Sequence, residues 1–212
     1  MHLVCNGCLD GGSDPKDDSR VYTLKITDFC GVMNSFLKFI NLTLLEMISS
    51  VVDVNCLQNT RIRCMILVDC MLKGGNYPVN LMSLIVKRCS NFYLEKSMLY
   101  LNTCEIYETF VDSSISSLDG SPLRELKLFP LSNYVLLNFD NLKKLRKLEL
   151  SRCFCENGTE FLRSTNLSYF SYDKYVFGSV ECALMYSILK KYRYKIDVGD
   201  LVFEMLTNMI EF

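Results

Sequence analysis

The residues best suited to chemistry in this chain are its cysteines. Cys5-Asn6-Gly7-Cys8 forms a C-x-x-C, and Cys153-Phe154-Cys155 is a second close pair. Thiolates at such spacing hold structural zinc or run dithiol chemistry, because both sulfurs reach one metal or each other. No thioredoxin-like βαβ pattern follows Cys8, so a thiol or zinc site at Cys5/Cys8 stands only as an alternative. The remaining catalytic repertoire is thin. His2 is the single histidine, which removes triad hydrolases, histidine-based metal centres and most general-base chemistry. Gly74-Gly75-Asn76 lacks the spacing and the Lys-Ser or Lys-Thr of a phosphate loop and reads as a turn. The run Lys190-Lys191-Tyr192-Arg193-Tyr194-Lys195 interleaves cations with aromatics. Lys190, Lys191, Arg193 and Lys195 would touch RNA by phosphate contact while the tyrosines stack, or would form a solvated last strand. No enzyme and no cofactor are expected.

Composition narrows the class. The 212 residues are 50% apolar and 22% charged, which describes a folded globular chain. Twenty-three basic side chains stand against twenty-four acidic ones, and that balance argues against nucleic acid as the partner. Met1 to Leu9 carries no basic segment followed by an apolar core, and no apolar run reaches the roughly 18–20 residues of a membrane span. Eleven cysteines is an odd number, so complete pairing is impossible. A reducing, cytoplasmic setting with free thiols and no membrane contact is expected.

The elements that position these residues follow from a repeat. Leu145-x-x-Leu148-x-Leu150-x-x-Cys153 recurs as Leu123/Leu126/Leu128/Leu131 and as Leu167/Phe170/Tyr172/Tyr175. Earlier copies are Leu81/Leu84/Val86/Cys89 and Ile62/Met65/Leu67/Cys70, with weaker ones from Leu42, from Val21 and, poorest, from Leu101. Starts at 21, 42, 62, 81, 101, 123, 145 and 167 lie 19 to 22 residues apart. A ninth unit is expected from Leu189, and a truncated one opens the chain with Met1, Leu3 and Asn6. Alternating apolar residues face inward from a short strand, and no unit buries its apolar side alone, so neighbours must stack.

This pattern resembles the leucine-rich repeat family, whose signature is L-x-x-L-x-L-x-x-N/C-x-L. The chain has one alanine and one glutamine beside thirteen Phe and twelve Tyr. With its short, loose units it is similar to the leucine-rich repeat proteins of microsporidian parasites. The resemblance implies one α/β solenoid domain over residues 1–212 with about eight to ten repeats. A curved parallel sheet would line its concave face, with loops or short helices on the convex face.

Several placements follow. Leu37, Ile40, Leu57, Val79, Leu99, Leu142 and Leu162 are expected to supply the wall opposite the strands. Ser179 to Tyr192 and Asp200 to Ile210 read as helices, the second within a C-terminal cap over 199–212. Asp10–Arg20 reads as a mobile loop, and Ser113 to Gly120 as an irregular one. Cys70, Cys89 and Cys153 occupy the buried turn position of their units. Cys5/Cys8 and Cys153/Cys155 would lie seven rungs apart, roughly 34 Å at about 4.8 Å per strand, so they cannot share a metal unless two molecules meet.

Residues between the inward positions face out. Leu44, Ile48, Cys64, Ile66, Val68 and Ile85 then make an apolar patch on the concave face. Glu125, Lys127, Lys147, Glu149, Arg152, Asp173, Lys174, Lys191, Arg193 and Lys195 make its charged continuation. Exposed contiguous apolar surface marks an interaction site. The expected function is a protein-binding scaffold, self-associating through its N-terminal repeats. The Asp10–Arg20 segment is the alternative cover for the patch.

Overall fold

The computed structural model describes residues 2–6, 20–30, 39–93, 98–111, 118, 121–129, 142–151, 167–173, 175–191, 201–203 and 206–207. They form a parallel β-solenoid. Its main sheet has ten strands: β1 (His2–Asn6), β2 (Thr23–Thr27), β3 (Leu44–Ile48), β5 (Cys64–Val68), β7 (Ser83–Lys87), β8 (Thr103–Tyr107), β9 (Glu125–Phe129), β10 (Lys147–Leu150), β11 (Tyr169–Tyr172) and β12 (Tyr175–Phe177). Every neighbouring pair is parallel except β11 and β12. A second, two-stranded sheet pairs β4 (Val51–Asp53) with β6 (Met71–Lys73), and a 3-10 turn covers Val54–Leu57.

Period-2 burial explains the stacking. In β2, β3, β5, β7, β8 and β9 the second and fourth residues are buried and the others half-buried. Leu24, Leu45, Met65, Leu84, Cys104, Leu126, Leu148 and Phe170 thus form one fully buried ladder. The poorest unit in sequence is in register: Leu101, Cys104, Ile106 and Thr109 are all fully buried.

Six of the strands exit through a left-handed residue. Asp28, Ser49, Asp69, Arg88, Glu108 and Asp173 have φ between 46° and 55°. Asp and Ser tolerate this conformation better than Arg or Glu, since a short polar side chain bonds locally. After Ser49, Asp69, Arg88 and Glu108 the next position carries a small hydroxyl or thiol. Ser50 Oγ donates to the Ile48 carbonyl at 2.7 Å and accepts from the Phe29 amide at 3.0 Å. Thr109 Oγ1 does the same for the Tyr107 carbonyl (2.7 Å) and the Cys89 amide (3.2 Å). Between them, the Cys70 and Cys89 thiols donate to the carbonyls of Val68 and Lys87. Buried turn backbone is thereby satisfied from rung to rung.

Four expectations need correction. The first unit is displaced by two residues: Leu3 pairs with Leu24 and Cys5 with Ile26, in place of the expected Met1 and Leu3. Ile40, Val79 and Leu99 are exposed rather than walling the core. The wall is filled by Phe39, Tyr77 and Met98, as well as by Leu57, Leu118 and Leu142. The reason is a tight turn before each unit, in which Leu42 donates to the Phe39 carbonyl and Leu101 to that of Met98. Such a turn points its first residue inward and its two central residues out. Tyr175 does not close an eighth turn but starts the antiparallel β12, which places Phe177 on Phe170 with ring centroids 5.9 Å apart. Finally, no ninth unit starts at Leu189, because α1 (Ser179–Lys191) runs through it.

The Ser179 hydroxyl donates to the Ser168 carbonyl and ties the start of α1 to the strand ladder. Beyond α1, 201–203 and 206–207 are helical, with Leu201 and Val202 buried in the same core. At Gly74, φ is +75° and an added Cβ would collide with the Asn55 side chain, which explains a glycine at that turn. Residues 10–19 of the expected loop, and most of 113–120, lie outside the described residues.

Candidate functional site

The face of the main sheet turned away from the core is ordered by three register columns. Its middle column reads Val4, Lys25, Glu46, Ile66, Ile85, Glu105, Lys127, Glu149, Ser171. All six residues expected in the apolar patch, Leu44, Ile48, Cys64, Ile66, Val68 and Ile85, lie on this face, each half-buried. Register brings them together, because Leu44 pairs with Cys64, Ile48 with Val68, and Ile66 with Ile85.

Ion pairs bracket the patch. Lys25 Nζ meets Glu46 Oε1 at 2.7 Å on one side, and Lys127 Nζ meets Glu105 Oε1 at 2.8 Å on the other. Burial acts to raise the Glu105 pKa, but the Lys127 ammonium and the Tyr107 hydroxyl, which donates at 2.7 Å, outweigh it and hold the carboxyl below its usual value. Farther along, Lys147 meets Glu149 at 2.9 Å and lies 5.0 Å from the Tyr169 ring centroid. Sequence reasoning missed the aromatic extension of the patch. Tyr107 and Phe129 stack at 5.0 Å with an interplanar angle of 3°. Their signal was available, since both take the outward register position of Val68.

The two edges of the sheet differ in charge. On the trailing edge, where strands exit, are Asp28, Asp69, Glu108 and Asp173, with Arg88 held by Asp69 at 2.6 and 2.8 Å. On the leading edge, where strands begin, a groove of about 730 Å³ is lined by Arg61, Arg63, Met82, Tyr100 and Asn102 among others. Arg124, Lys143 and Lys144 are exposed farther along that edge.

Cys70, Cys89 and Cys104 are buried free thiols. Burial pushes Cys104 up to about 12, which keeps its sulfur protonated and unreactive. Cys30 departs from the expectation of free thiols, being disulfide-bonded. The Cys5 backbone lies in β1, seven strands from β10 in the sheet order, whereas Cys8, Cys153 and Cys155 lie outside the described residues. Among the described residues no three His, Cys, Asp or Glu side chains gather as a metal site, and no helix is long and apolar enough to cross a membrane. Lys190 and Lys191 lie in the last turn of α1, so the expected basic strand does not form there. Arg193 and Lys195, like Arg152 and Lys174, lie outside the described residues. Compared with known protein families and with curated proteins, the chain matches none.

Proposed function

We propose that the chain is a non-catalytic repeat protein of the leucine-rich type, and that its outer sheet face binds a second copy of itself. The observation that carries this reading is the aliphatic band from Leu44 to Ile85, which lies on the face opposite the core. Parallel sheets generally bury both faces, and covering this band gains about 25 cal/mol for each Å² of apolar surface removed from water.

The order of charges favours a copy of the same face. A two-fold axis along β7 sets Ile85 against its counterpart, Glu46 against Lys127 of the second copy and Lys25 against Glu149. In the column nearer the trailing edge, the same axis sets Ile48 against Phe129 and Val68 against Tyr107. Isologous contacts of this self-complementary kind close a dimer. The one like-charged meeting in these two columns is Lys87 with itself, and Ile66 lies against Glu105, whose carboxylate is already paired with Lys127.

Sedimentation equilibrium tests the reading. Wild type should weigh as a dimer at micromolar concentration. Ile66→Asp and Val68→Asp should shift it to monomer with the circular dichroism spectrum intact, and Lys87→Ala should tighten the dimer. A wild type that stays monomeric, or a dimer indifferent to all three changes, refutes it.

A further inference from the structure

The leading edge carries exposed arginines. Arg61, Arg63 and Arg124 are exposed, and among the described residues no carboxylate stands against any of them. Among the described residues Arg61 reaches Asn41 Oδ1, at 3.5 Å. The contrast with Arg88, gripped through two nitrogens by Asp69 on the opposite edge, shows that this fold pairs a guanidinium where it has a carboxylate to offer. Arg61 and Arg63 also sit two residues apart on one rung, both lining the groove. Like charges at that spacing repel, and an anion between them relieves the repulsion. The groove is not purely polar, because Met82 and Tyr100 line it with much of their surface exposed.

The geometry points to a second binding site here, for an extended acidic segment of a partner protein lying across the strand starts. Arg63 and Arg124 precede β5 and β9, three strand spacings apart, or roughly 14 Å at about 4.8 Å each. Four residues of extended peptide span about the same distance at about 3.4 Å per residue, and side chains at i and i+4 point the same way. One carboxylate therefore meets Arg61 and Arg63 while the other meets Arg124. An apolar residue at i+2 falls over Met82, and the Asn80 and Asn102 amides lie within the groove to bond the peptide backbone. Paired guanidiniums match carboxylates in geometry as well as charge. A nucleic acid fits less well, since a chain of net charge −1 lacks the long basic track that many phosphates require.

The test uses fluorescence anisotropy with three labelled probes: a Glu-Ser-Leu-Ser-Glu peptide, its Gln-Ser-Leu-Ser-Gln counterpart, and an oligouridylate of equal charge. The glutamate peptide should bind at least ten-fold more tightly than the other two. Arg63→Ala and Arg124→Ala should each weaken it several-fold without moving the thermal midpoint, Arg63→Lys should recover part of the loss, and Val180→Ala, exposed in the first turn of α1, should change nothing. Equal binding of the glutamate and glutamine peptides, tighter binding of the oligouridylate, or no saturable binding of any probe overturns the proposal.

Discussion

Replacing Leu148 by alanine probes the stacking directly. Leu148 is fully buried in β10, between Leu126 of β9 and Phe170 of β11. The change deletes three carbon groups, about 2.4 kcal/mol of transfer energy at about 0.8 kcal/mol each. Its neighbours belong to separate hydrogen-bonded strands and collapse only partly into the void, so the total falls at about 2–5 kcal/mol. Lys147 is the matched control one residue away, on the outer face. Its alanine variant loses a partly exposed contact with Glu149 and the approach to the Tyr169 ring, together about 0.5–2 kcal/mol. Urea denaturation of both variants, followed by far-UV circular dichroism, gives the two costs side by side. Equal costs, or a larger one for Lys147→Ala, would show that the inward register is wrong.

Thr109→Val keeps shape but strands the Cys89 amide, while the Tyr107 carbonyl keeps the Arg88 amide, and should cost about 1–3 kcal/mol in the same urea assay. Ser49→Gly should be neutral or slightly stabilising because φ is +48° there, whereas Ser49→Val should cost about 1–2 kcal/mol. The folded pKa of Glu105 is lowered, so its contribution is complete above the ordinary carboxylate value and is lost as pH falls through the lowered one. Thermal midpoints across that acidic range should drop more steeply for wild type than for Glu105→Gln.

The core was legible because burial in a stacked sheet depends on alternation alone. Leu126, Leu148 and Leu150 need no knowledge of neighbours to be placed inward, and the outer residues Ile66 and Ile85 follow from the same count. The wall opposite the strands was not legible in this way. Whether Phe39 or Ile40 turns inward depends on where a tight turn closes, and the turn is set by a backbone hydrogen bond that no side-chain pattern announces. The end units failed for a related reason. With one neighbour, β1 is constrained from one side, and the spacing of Met1, Leu3 and Asn6 matched the repeat as well as the register that forms. Lys190 and Lys191 were assigned by extrapolating the period past the point where Phe177 folds back on Phe170. The leading-edge arginines escaped notice because Arg63 and Arg124 lie sixty-one positions apart in the chain, and only the rungs bring them onto one edge.

The proposed self-association is tested most directly at Cys64, a free and half-buried thiol within the apolar patch. Maleimide labelling of the native protein over a dilution series, with the modified residue identified by mass spectrometry, reads whether that face is covered. Labelling of Cys64 should slow as protein concentration rises through the dimer range, and Ile66→Asp should hold it at the fast, dilute rate throughout. A Cys64 rate that is the same at every wild-type concentration would contradict the assignment of this face to a second copy.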